Sequence, residues 1–273
     1  DISRLWEVAE QRKFIVLFPT SMRSETKYNA WNFYWHTPDD NGNPDPVFLV
    51  ELIERYIKDY SVDPSRIYLS GFSNGGGMAN YMAMNYPEIF AAVMPYSGAM
   101  KNESYFPELK EGRPYMPIWV NRGGLEYKPE TLSVIKHLQP GWEYWMKWNH
   151  VDPEKYVEVD EKKLNTKIFE GTVECRYSLR KDAHHAIFSE HYWTIYDEFF
   201  SRFQRGEDGS SIENGYTHLY RLNGRYGKLS HSKRIDSIIY LNKKEAKSVF
   251  GDIKDNMIAL KKNIDGEDYI SMK

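Results

Sequence analysis

Hydrophobic positions along this chain change period several times, and each change marks a candidate element. Ile2, Leu5, Trp6 and Ala9 recur at i, i+3, i+4 and i+7, which predicts an amphipathic helix over Asp1–Lys13. The continuous apolar run Lys13–Pro19 predicts a strand of the kind found where helices cover both faces of a parallel sheet. A second helix is marked by Asp45 as N-cap, Pro46 at the first helical position, and Phe48, Leu49, Leu52, Ile53, Tyr56 and Ile57 on one face. After a turn at Asp63-Pro64, the pattern gives a strand over Arg66–Ser70, a helix over Asn74–Asn85 and a strand over Phe90–Pro95. Further strands are expected at Pro117–Asn121 and Thr172–Leu179. A helix over Ser189–Phe203 should turn Trp193, Tyr196, Phe199, Phe200 and Phe203 inward. Alternation of this type predicts an α/β fold with a mainly parallel sheet flanked by helices.

The texture changes after Phe203. Residues 205–211 are polar and glycine-bearing. Beyond them come short strand-like runs at Thr217–Leu222, Ile235–Leu241, Met257–Lys261 and Tyr269–Met272, with Asn223-Gly224 and Asp265-Gly266 as turn pairs. This divides the chain into a region 1–205 and a small β-rich C-terminal segment 212–273.

Charge narrows the function classes. Lys and Arg number 36 against 39 Asp and Glu, a formal net charge of −3, which gives no electrostatic reason to expect a nucleic-acid partner. No apolar run approaches the ~20 residues of a membrane helix, so no membrane partner is expected. The single Cys175 excludes an internal disulfide framework, and no metal-ligand spacing appears. Aromatic residues make up 15% of the chain, including 21 Tyr and 8 Trp, and call for a core, a binding surface or both. Trp142, Trp145 and Trp148 have near-helical spacing and read as a packed stripe. Trp31, Phe33, Tyr34 and Trp35 cluster after the first predicted strand, at the edge of the sheet where such folds bind ligands.

The sharpest chemical signal is Gly71-Phe72-Ser73-Asn74-Gly75, between a predicted strand and a predicted helix. A turn this tight strains the serine backbone and needs glycine on both sides, and it lifts the hydroxyl to the top of the sheet. Asn74 would offer its backbone N–H to a developing oxyanion at the helix N-terminus. A serine hydroxyl needs a base to take its proton, and histidine suits that role.

Residues 63–78, followed by residues 86–98, resemble the polyhydroxybutyrate-depolymerase and feruloyl-esterase branch of the α/β-hydrolase fold. The resemblance runs from about Ile2 to Phe203. It implies a serine esterase with a Ser–His–acid triad, no cofactor, an extracellular location, and small-molecule or polysaccharide-linked esters as substrates. Ser73 matches the nucleophile. Chain order leaves His184, His185 and His191 for the base; His185 stands in register with the family's Gly-Gly-His-x-Trp segment, although both glycines and the tryptophan are replaced. The family's His-Gly-x-x-Asp pattern falls on Arg122-Gly123-Gly124-Leu125-Glu126, which puts Glu126 on the acid position; Asp152 is the runner-up. Trp31, Trp35 and His184 are the candidate substrate contacts.

Aligned on the family, the chain opens just before the fourth strand. The resemblance therefore implies that an upstream segment or a partner chain completes the sheet and supplies the second oxyanion donor. Two rivals stand beside the esterase: a peptidase of the same fold, and a hydrolase-like binding module that has lost catalysis.

Overall fold

A computed structural model describes residues 5–21, 30–32, 44–98, 103, 106–126, 132–160, 162–186, 195–213, 238–240, 259–264 and 267–272. Helices α1 (Leu5–Arg12), α2 (Pro44–Tyr60), α3 (Asn74–Asn85) and α4 (Leu132–Trp148) accompany six strands of one sheet. These are β1 (Tyr68–Phe72), β2 (Ala92–Tyr96), β3 (Ile118–Gly123), β4 (Tyr156–Asp160), β5 (Leu164–Phe169) and β6 (Cys175–Arg180), in spatial order β1-β2-β3-β6-β5-β4. The first four in that order run parallel, and β5 and β4 add an antiparallel margin. The expected mainly parallel α/β sheet is found, with an antiparallel hairpin that the alternation of strand and helix does not reveal.

Both faces of the sheet are covered, which suits the wholly apolar and fully buried run of β2, Ala92–Tyr96. On one face Leu49 of α2, Met78 and Met82 of α3, and Trp145 and Trp148 of α4 pack with Val93 and Ile118. On the other, Val8 of α1 joins Ala92, Met94, Tyr96 and Trp119 beneath Tyr196, Phe199, Phe200 and Phe203. Residues 92 to 96 thus alternate faces while every one is buried. The tryptophan stripe is core, as expected: Trp145 and Trp148 stack with ring centroids 4.8 Å apart, and Trp142 meets Phe169 and Tyr177 edge-on.

Three expectations need correction. Lys13–Pro19 forms no strand; Ile15 and Phe18 are half exposed, and among the described residues no neighbouring strand offers the segment a ladder of hydrogen bonds. Apolar composition makes a strand only where a partner backbone is present. The α2 helix opens at Pro44, so Asp45 sits in its first turn, where its buried carboxylate accepts the Asn32 N–H at 2.8 Å. The aromatic segment before Phe203 is not a regular α-helix. Its described part is a π-helical turn (Ile195–Phe199) and a 3-10 turn (Phe200–Arg202), and Phe203 opens strand β7 (Phe203–Arg205). The inward aromatics are buried as expected, while Trp193 and His191 lie outside the described residues.

Strand β7 pairs with β8 (Ser211–Glu213), and this hairpin is bonded to the main sheet's surroundings: the Ser211 hydroxyl donates to the Ala91 carbonyl at 2.6 Å and its amide to Tyr115 at 2.8 Å. At its base Glu174 is buried between Arg176 and Arg202, at 2.6 and 3.1 Å, and Arg202 also meets Glu213. Burial alone would push the Glu174 carboxyl up; the two guanidinium groups outweigh it and hold it at about 2. Strands β9 (Ile238–Tyr240), β10 (Ala259–Ile264) and β11 (Glu267–Met272) form a separate antiparallel sheet within the expected β-rich segment. Thr217–Leu222 and both turn pairs lie outside the described residues.

Candidate active site

Ser73 connects β1 to α3 with φ 54° and ψ −115°, a conformation disfavoured for any side-chain-bearing residue. The strain is held from both sides. Ser73 N–H donates to the Tyr96 carbonyl at 2.8 Å, and its own carbonyl accepts from Gly77 at 3.0 Å. Glycine at 71 is a steric requirement, because a Cβ there would lie 2.1 Å from the Gly75 carbonyl oxygen. The motif therefore folds as the sequence suggests, with the hydroxyl lifted off the end of the sheet.

His185 arrives from the loop after β6, with its Nε2 at 2.8 Å from Ser73 Oγ and its Nδ1 at 3.3 Å from Glu126 Oε1. A carboxylate only accepts, so Nδ1 carries the proton and Nε2 accepts from the serine hydroxyl. The Phe72 ring lies 4.8 Å from the imidazole and backs it on the sheet side. Glu126 follows β3, and its side chain is 1% exposed although the imidazole it faces is 46% exposed. Its Oε1 also accepts from the Ser97 hydroxyl and from Gly123 N–H at 3.3 Å, while its Oε2 lies 4.0 Å from Arg122 Nε.

The two loops are tied together. Leu125 N–H donates to the Ala183 carbonyl at 2.8 Å, and His184 Nδ1–H donates to the Leu125 carbonyl at 3.0 Å. His184 is thus engaged on the Glu126 loop through Nδ1. Asp152 pairs with Lys155 at 3.1 Å, and hydrogen bonds from Arg180 and Lys163 hold the Asp182 carboxyl at about 2.

Asn74 uses its side chain away from the hydroxyl. Its Oδ1 accepts from Trp31 N–H at 2.6 Å and its amide donates to the Trp31 carbonyl at 3.1 Å, a reciprocal clamp. The Trp31 indole lies against Gly75. Trp35, Phe33 and Tyr34 lie outside the described residues. Among the described residues no group of His, Cys, Asp and Glu is arranged to hold a metal, and no helix is long and apolar enough to cross a membrane.

Residues 2–107 match the protein family described as Esterase PHB depolymerase. The match covers Ser73 and stops before Glu126 and His185. Over 142 residues the chain is 30% identical to feruloyl esterase B of Neurospora crassa, covering 51% of this chain and 47% of that one. It is 37% identical to a probable acetylxylan esterase A of Neosartorya fischeri over 34% of this chain and 24% of that one. With poly(3-hydroxyalkanoate) depolymerase C of Paucimonas lemoignei it shares 31% identity over 32% of this chain and 21% of the relative. The chain thus spans about half or less of the curated relatives it matches. Acetyl xylan esterase from Aspergillus awamori has the same fold, with a TM-score of 0.54 at 19% identity over 70% of this chain and 81% of that one. The region matched by the family model thus contributes β1, α3 and β2 to the mainly parallel sheet.

Sequence reasoning missed the hydrogen bonds that Ser97 and Gly123 give to the Glu126 carboxylate. The only sequence signal for Ser97 was its place between a buried strand and Gly98.

Proposed function

We propose that the protein is a serine carboxylic-ester hydrolase acting outside the cell on ester groups of plant polysaccharide, such as feruloyl or acetyl, or on short polyesters. The observation that carries this reading is the hydrogen-bonded run from Ser73 Oγ through His185 to Glu126. The family match around Ser73 and the esterase names of the relatives support the reaction class.

In this reading Ser73 Oγ attacks the ester carbonyl carbon as its proton passes to His185 Nε2. The imidazolium is stabilised by Glu126, which also fixes the tautomer. The carbonyl oxygen becomes an oxyanion beside the Asn74 amide, where the N-terminus of α3 favours negative charge. Collapse breaks the bond to the alcohol oxygen, which takes the proton from Nε2. Water then enters, gives a proton to His185 Nε2 as its oxygen attacks the acyl carbon, and collapse breaks the bond to Ser73 Oγ, which takes that proton back as the acid leaves. Trp31, held by the Asn74 clamp, is proposed as one wall for the substrate. His184 is assigned to holding the loops together rather than to direct substrate contact, on the strength of its bond to Leu125.

A fluorophosphonate probe tests the proposal, because only an activated serine is labelled. Labelling and hydrolysis of an aryl acetate should both be lost in Ser73→Ala. An unlabelled parent protein would refute the esterase and favour the binding module.

A further inference from the structure

We infer that Ser97 is a positioning residue for the carboxylate of Glu126, an inference that rests on the triad reading above. Ser97 has φ 46°, in the left-handed region where glycine is favoured and a side chain brings strain. The surrounding backbone imposes this conformation. Ser97 N–H donates to the Asn121 carbonyl at 2.7 Å, and the next residue, Gly98, lies so close to α3 that a Cβ on it would be 2.2 Å from the Gly76 carbonyl carbon. Held between β3 and α3, Ser97 aims its hydroxyl at Glu126 Oε1, the oxygen that also accepts from His185.

A glutamate needs this support more than an aspartate would, since its extra side-chain torsion lets the carboxylate swing and costs more entropy to order. In this chain Oε1 accepts from Ser97 and Gly123, while Oε2 faces the buried Arg122 guanidinium at 4.0 Å. The two oxygens are thereby assigned different partners, which sets the carboxylate plane and leaves Oε1 in line with Nδ1.

The test separates positioning from folding. Ser97→Gly removes the hydroxyl while suiting a left-handed backbone, so melting temperature should hold or rise while kcat falls by about tenfold with little change in KM. Ser97→Ala should lose the same factor in kcat at a lower melting temperature. In a Glu126→Ala background Ser97→Gly should have no further effect on kcat. Unchanged kcat in Ser97→Gly, or the same fold-loss with and without Glu126, overturns the inference. Failure of the triad itself reads differently: Ser73 then escapes fluorophosphonate labelling in the parent protein, which overturns both.

Discussion

Replacing Gly123 with alanine should disable the site while leaving the fold almost intact, and the size of the effect follows from the geometry. Gly123 ends β3, lies outside the left-handed region, and so accepts an alanine backbone. Its new Cβ, however, would lie 2.2 Å from the His184 carbonyl oxygen and 2.5 Å from that of Ala183. Relaxed carbon–oxygen contacts begin at about 3.3 Å, so residues 183–185 must retreat by about 1 Å. His185 is the next residue, and its bond to Glu126 is already 3.3 Å long, so that retreat carries Nδ1 past hydrogen-bond reach. A misplacement of about 1 Å costs roughly 100-fold in rate. The loop that moves is exposed, so the stability cost should be about 1 kcal/mol, a melting shift of about 2–4 °C. Steady-state hydrolysis of an aryl acetate, the rate of fluorophosphonate labelling and a thermal melt together measure all of this. A Gly123→Ala protein with kcat within about threefold of the parent would refute the reasoning, because the His184 carbonyl could not then be packed on Gly123.

Two stability predictions follow from the core. The Glu174 carboxyl is held at about 2 against an ordinary 4.5; a group depressed on folding stabilises the protein above its unfolded value and loses that contribution as pH falls through the interval. Urea unfolding from pH 7 to pH 2 should therefore show a falling midpoint below about pH 4.5, and Glu174→Gln should be less stable at pH 7 with a shallower acid slope; parallel curves would contradict this. Trp145, 1% exposed, stacked on Trp148 and donating to Asn80 Oδ1 at 2.9 Å, should cost about 3–5 kcal/mol when replaced by alanine, read from the denaturant midpoint at unchanged slope.

The parts of this molecule that could be read from the chain are those whose causes are local. Gly71, Ser73 and Gly75 specify a strained turn within five residues, and α3 begins and ends where its pattern places it, at Asn74 and Asn85. The aromatic stripes at Trp142–Trp148 and Tyr196–Phe203 mark core because their spacing matches one face of a turn. His185 and Glu126 were legible only through chain order and resemblance, since 112 and 59 residues separate the histidine from its two partners.

Other features had no local cause to read. The β4–β5 hairpin is half polar and gains its order from pairing at the sheet margin. Lys13–Pro19 has a strand's composition, but no strand among the described residues pairs with it. The Ser97 bond to Glu126, the clamp of Asn74 on Trp31 and the approach of Gly123 to His184 join residues 29, 43 and 61 positions apart. By itself the sequence determined the strained serine turn, the covered sheet and the amphipathic faces, because backbone strain and hydrophobic period act over a few residues. Only the tertiary structure decided how the Glu126 carboxylate is aimed. A carboxylate's orientation depends on donors and charges within a few ångströms in space, and these come from wherever the fold brings chain ends of strands together.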